Sequence, residues 1–128
     1  MSINTYQENR ILSASPVELV QILYTAANRA VQNARYHLAA GDIALRSREI
    51  TKAREILLEL GASVDATKAP EFSERLLALY DYLQSRLVEA NAQQKDAPLA
   101  EVINLLETLQ DAWSQCSANQ QLELAASR

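Results

Sequence analysis

Few residues in this chain are equipped to do chemistry. Its 128 residues include one histidine, His37, one cysteine, Cys116, and two glycines, Gly41 and Gly61. A metal site of the helical-bundle type needs carboxylates from facing helices together with Glu-x-x-His pairs. The residue three before His37 is Ala34, so that ligand set is missing and no metal or other cofactor is expected. A nucleophilic Cys116 would need a base or a cationic neighbour to hold its thiolate, and the sole histidine lies on another element. Cradling a phosphate takes a glycine-rich turn, whereas these two glycines stand far apart. Glu55 and Glu59 share a helix face, and solubility accounts for them. Nothing in this set supports catalysis, so the chain is expected to work by binding.

Charge narrows the partners. Arg46, Arg48, Lys52 and Arg54 cluster, but Glu49 and Glu55 interleave with them. That pattern reads as a solvated helix face, with a partner carrying acidic groups as the minor alternative. A net charge of −4 without a basic stripe argues against nucleic acid, whose binding is driven by phosphate neutralisation. No apolar run approaches the roughly 18 residues of a membrane span, so membrane insertion is not expected. A lone cysteine forms no internal disulfide, and the first residues show no secretory signal. Both features lead to the expectation of a cytoplasmic protein.

The elements that carry these residues read as helices. Ala, Leu, Glu, Gln and Arg are abundant, while Gly and Pro are scarce, a balance that favours helix. Residues 1–14 form an arm, polar except for Ile3, Tyr6 and the Ile11-Leu12 knot. Ser15-Pro16-Val17-Glu18 is a capping box with proline at the first helical position. The first seam runs Val20, Leu23, Ala27, Ala30, Ala34 and Leu38, at the three- and four-residue spacing of one helix face, and Gly41 stops it. Asp42 caps a second helix with the seam Ile50, Ala53, Leu57, Leu60 and Val64. Gly61 sits awkwardly in its last turns at a cost of about 1 kcal/mol relative to alanine. A loop at 65–69 leads to Pro70 and a third helix over 71–91, with the seam Phe72, Leu76, Tyr80, Leu83, Leu87 and Ala90. After a polar turn at 92–97, Pro98 opens a fourth helix carrying Leu99, Val102, Leu106, Leu109 and Trp113. The stretch 114–128 contains Leu122 and Leu124 and reads as a C-terminal tail or a short fifth helix. The fold class expected is therefore all-α: one domain over 1–128, with an antiparallel four-helix up-down bundle over 15–113. A helical hairpin that dimerises is the alternative.

Large apolar residues also stand one place off these seams, about 100° around the helix axis. They are Ile56, Leu77, Val88, Ile103 and Leu105. A wide core stripe accounts for such positions about as well as an apolar groove that takes an amphipathic segment of a partner. With Leu60 and Tyr80 on the adjoining seams, and with Tyr6, Ile11 and Leu12 on an arm able to cover the groove, they are the candidate partner-binding residues.

Taken in order, the residues resemble one family. An early tyrosine precedes Ala14-Ser15-Pro16, Glu18-Leu19 and Leu23-Tyr24. Lys52-Ala53, Ile56, Leu60 and Asp65 follow, then Leu79-Tyr80-Asp81-Tyr82, Leu87 and Ala90-Asn91, and last Glu101-Val102, Leu109 and Trp113. The chain is similar over Tyr6 to Trp113 to the FliS family of flagellar export chaperones. It departs from many members in having Thr25-Ala26 where they have Asp-Gly. The resemblance implies a cytoplasmic helical bundle that binds the C-terminal region of flagellin. It also implies that the protein prevents early polymerisation of its client and helps deliver it to the export apparatus. Other flagellar export or co-chaperone proteins are implied as further partners, and an N-terminal segment as a cap over the binding surface. A related adaptor or regulator serving a different flagellar or secretion protein is the alternative.

Overall fold

A computed structural model describes residues 15–126, with side chains through residue 118. It contains four helices: α1, Pro16–Ala40; α2, Ile43–Ala62; α3, Pro70–Gln93; and α4, Ala97–Ala126.

Local chemistry sets the helix ends. Ser15 Oγ accepts from the Glu18 N–H at 3.2 Å, and Pro16 occupies the first turn where no N–H is needed. Gly41 adopts the left-handed conformation at φ 75°. From there its N–H donates to the Leu38 carbonyl and the Asp42 N–H donates to the His37 carbonyl, at 3.2 and 2.9 Å, the paired bonds of a Schellman stop. Asp42 then caps α2 by accepting from the Leu45 N–H at 3.0 Å. Two residues thus reverse the chain between α1 and α2. At the next connection Asp65 accepts from both the N–H and the hydroxyl of Thr67. These bonds hold the Asp65 carboxyl below the usual carboxylate range. Gln94 ends α3 in the left-handed region at φ 55°, a conformation that favours glycine.

Each helix packs antiparallel on its neighbours. Along the α1–α4 seam, Val17 is joined to Trp113, Thr25 to Gln110 and Arg35 to Asp96, so α4 numbers fall as α1 numbers rise. Along α2–α3, Arg46 meets Asn91 and Arg54 meets Gln84. Helix α4 lies against α3 as well as α1, and α2 lies against α1 and α3. This is the up-down bundle expected. The seam of α1 supplies Ala27, Ala30 and Ala34, all buried. Small side chains there admit close approach of α2, and Ile50, Leu57, Leu83, Leu87, Leu99 and Leu106 fill the centre.

Three expectations change. The stretch after Trp113 is not a separate fifth helix: α4 continues without interruption to Ala126, since no glycine or proline follows Trp113 to stop it. Phe72, placed on the α3 seam by its spacing, is 65% exposed in the first turn of that helix. Arg46 does not lie on a solvated face. It is buried, with Nε donating to Asn91 Oδ1 at 3.0 Å and a terminal nitrogen to the Asn91 carbonyl at 3.4 Å. Ser47 donates to the same Oδ1 at 3.2 Å, so Asn91 is the hub that holds the start of α2 to the end of α3.

Candidate partner-binding surface

Groups able to do chemistry remain scattered. His37 is half-buried in the last turn of α1, edge-on to Tyr36 with ring centroids 5.4 Å apart. Cys116 is a free, exposed thiol on α4. Glu55 and Glu59 are exposed on α2. Among the described residues, no group of three or more His, Cys, Asp or Glu is arranged to hold a metal ion. No described helix is long and apolar enough to cross a membrane.

The structure separates the candidate residues into three sets. Leu60, Tyr80 and Ile103 are buried in the core, so a partner would reach them only if the helices parted. Ile56 and Leu105 are partly buried and packed against that core. Leu77 and Val88 are 36% and 45% exposed. Tyr6, Ile11 and Leu12 lie outside the described residues.

Leu77 and Val88 flank the same seam. Arg54 on α2 and Gln84 on α3 cross it with two bonds, Arg54 Nε to Gln84 Oε1 at 2.9 Å and Gln84 Nε2 to the Arg54 carbonyl at 2.8 Å. Val88 stands one turn after Gln84 and Leu77 two turns before it, about 16 Å apart along the axis. Leu58 stands one turn after Arg54 on the facing helix and is 67% exposed. Gly61 follows it by three residues. A side chain there would begin 3.5 Å from Leu77 Cδ2 and 3.8 Å from Tyr80, which shows how closely Leu77 lies over α2 at this level. Leu58 and Leu77 thus form an apolar patch at one end of the α2–α3 seam. Val88 extends it beyond the Arg54–Gln84 crossing.

Leu58 was missed by reading residues beside the seam one at a time. The signal was the run Ile56-Leu57-Leu58. Three consecutive helical residues span about 200° of arc, more than a core-facing stripe covers, so one of them must face outward. With Leu57 buried and Ile56 leaning towards the core, Leu58 is the outward one.

The far side of the bundle is closed by polar bonds. Gln110 Nε2 donates to Thr25 Oγ1 at 2.8 Å, and Trp113 Nε1 donates to the Val17 carbonyl at 3.2 Å. Arg35 grips Asp96 through two bonds of 2.7 and 2.8 Å, which lower the Asp96 pKa. Thr25, one of the two departures from the family pattern, is therefore bonded to α4. The α3–α4 seam carries Tyr82 and Arg86 bonded to Glu101, and Arg86 also to Glu89.

Comparison with known proteins places the sequence within one family. The family described as "Flagellar protein FliS" matches residues 1–120. The flagellar secretion chaperone FliS of Salmonella typhimurium is 36% identical over 111 residues, covering 86% of this chain and 82% of its own. Its counterpart in Bacillus subtilis is 32% identical over 110 residues, covering 86% and 81%. That of Campylobacter jejuni is 28% identical over 120 residues, covering 94% of each. With a family match across nearly the whole chain, these identities fix its kinship: the chain belongs to the FliS family of flagellar secretion chaperones.

Proposed function

We propose that this protein binds the C-terminal region of flagellin in the cytoplasm, keeps it from polymerising early and helps deliver it to the flagellar export apparatus. It acts through binding alone, without catalysis. The observation that carries this reading is the exposed apolar patch of Leu58 and Leu77, with Val88 beyond it, along the α2–α3 seam. Single exposed apolar residues are ordinary. Three that flank one interhelical seam match the way helical grooves take amphipathic segments, which anchor side chains at i, i+3, i+4 and i+7.

The client chemistry fits. A segment that is disordered alone and orders on binding can cover a large surface, at an ordering cost that restrains its affinity. No bond is made or broken, so no constellation of acid, base and nucleophile is required. The first twelve residues, with Tyr6, Ile11 and Leu12, act as a cap over the surface. Other flagellar export or co-chaperone proteins are further partners in this reading.

Calorimetric titration of the full chain with the C-terminal segment of flagellin from the same organism tests it. The expected result is a 1:1 complex with a negative heat-capacity change. Absence of binding at about tens of micromolar, some 6 kcal/mol of binding free energy, overturns it. A pull-down from native cells that enriches a different flagellar or secretion protein, and no flagellin, would assign the family fold to another client.

A further inference from the structure

The four helices are not held equally. Both α2 and α4 make their most extensive close approach to α1, and α3 meets the same two helices over less of its length. The reason lies in the α1 seam, where Ala27, Ala30 and Ala34 are fully buried and keep neighbouring backbones near. The seams of α3 are instead crossed by long polar side chains. Arg46 and Ser47 reach Asn91, and Arg54 is bonded twice to Gln84. On the α4 side Tyr82 and Arg86 reach Glu101. Water replaces bonds of this kind at little net cost when they break, and least for those near the surface.

The ends of α3 are also the least well made. Ser15 and Gly41 cap α1, and Asp42 caps the start of α2. Ala69 precedes α3 with no side-chain bond to its free N–H groups, and Gln94 closes it in the left-handed region that favours glycine. A buried charge acts in the same direction. Arg46 is 4% exposed, is held against Asn91 of α3, and has no carboxylate partner among the described residues. Keeping that guanidinium from water costs free energy that amide and carbonyl acceptors only partly offset. Lifting α3 returns it to water.

We infer that α3 is a strap that opens as a unit from a platform of α4, α1 and α2, while those three stay packed on the α1 seam. The connections at 63–69 and 94–96 are its hinges. Closure rests on the apolar seam of α3, where Leu83 and Leu87 are fully buried, and on the single bond from Tyr80 across the core to Tyr24. Those contacts keep the open form a minor state. Opening bares Tyr80, Leu83 and Leu87 together with the faces of α2 and α4 that they cover. The device belongs to the chain alone and does not depend on which partner it takes.

Native-state amide exchange of the full chain, followed by NMR in rising sub-denaturing urea, tests this. Amides 76–90 are expected to exchange about tenfold or more faster than amides 27–38, 50–60 and 99–109. Their opening should also depend less steeply on urea, because a smaller surface is exposed than in global unfolding. Equal protection with one shared urea dependence across the four helices overturns the inference, and so does any other helix opening before α3 or together with it. A variant supplies a second measurement. Ala30→Gly weakens α1, which stays folded when α3 lifts, so exchange in α1 should speed up about fivefold. Exchange in α3 should change by less than about twofold, because its opening leaves α1 intact. Equal acceleration in α1 and α3 would mean that the bundle opens only as a whole, and the strap would be ruled out.

Discussion

The hydroxyls of Tyr24 and Tyr80 meet 2.5 Å apart inside the bundle, joining α1 to α3, the helix diagonally across from it. Both rings are buried, at 3% and 5% exposure. Each hydroxyl is the polar partner of the other in an apolar interior. Tyr24→Phe or Tyr80→Phe leaves one hydroxyl buried and unpaired, at a cost of about 1–3 kcal/mol. The double Phe variant removes both polar groups and should be little worse than either single change. Urea unfolding of the four proteins checks this, and additive losses would place the two hydroxyls in contact with other partners.

The same pair gives the bundle an alkaline limit. Burial pushes the pKa of Tyr24 and of Tyr80 up, and Tyr80 rises further because its proton is held in the shared bond. An unfolded tyrosine ionises at about pH 10. Above that pH the unfolded chain has lost protons that the folded chain keeps, so stability falls as pH rises. The contribution is complete below pH 10 and is lost above it. Stability measured across this range should decline more steeply for the natural protein than for the double Phe variant. Tyr82, whose pKa is raised by its bond to Glu101, remains in both proteins and serves as the common background.

Backbone punctuation in the sequence was informative, and its gaps explain what was missed. Ser15, Gly41 and Asp42 announced their caps because each has a side chain, or lacks one, in the way a helix end requires. Gln94 gave no such signal, although it ends α3 in the left-handed region. Nothing after Trp113 announced an end, and none occurs before Ala126. The candidate surface was half legible. Residues one place off a seam lie near the edge of the buried stripe, where small rotations decide their fate. Ile103 fell inside and Val88 outside, and periodicity alone does not resolve that difference.

Gln94 and Gly61 therefore invite exchange of residue types. Gln94→Gly removes the cost of a side chain in the left-handed conformation and should stabilise by about 1 kcal/mol. Gly61→Ala adds a methyl that meets only ordinary contacts with Leu77 and Tyr80, inside a helix where alanine is favoured by about 1 kcal/mol. Both variants should melt higher than the natural protein. A lower melting temperature for Gly61→Ala would mean that Leu77 lacks room to yield.

Trp113 is partly buried, packs against the core and donates its indole N–H to the Val17 carbonyl. A fully buried aromatic would cost about 3–5 kcal/mol on truncation to alanine. Partial burial makes Trp113→Ala milder, and the first turn of α1 should loosen with it. Trp113→Phe keeps most of the packing and loses the bond, for about 1 kcal/mol. Amide exchange should then speed up in residues 17–21 more than elsewhere. A uniform change across the bundle would show that the bond does not anchor that turn.

Leu58 and Val88 provide the sharpest contrast between stability and binding. Both are exposed, while Leu57 and Leu87, their immediate neighbours, are wholly buried. Leu58→Asp and Val88→Asp should change stability by no more than about 0.5 kcal/mol. Each places a charge where the client's apolar face would lie, and should weaken binding of the flagellin C-terminal segment about tenfold or more. Leu57→Asp and Leu87→Asp should fail to fold, because a carboxylate buried there has no partner. Deleting residues 1–12 should act in the opposite sense to Leu58→Asp, strengthening or speeding client binding if those residues cap the surface. Calorimetry on the folded variants separates the outcomes. Unchanged affinity for both Asp variants would move the client away from the α2–α3 seam, and weaker binding after the deletion would make the first twelve residues part of the site.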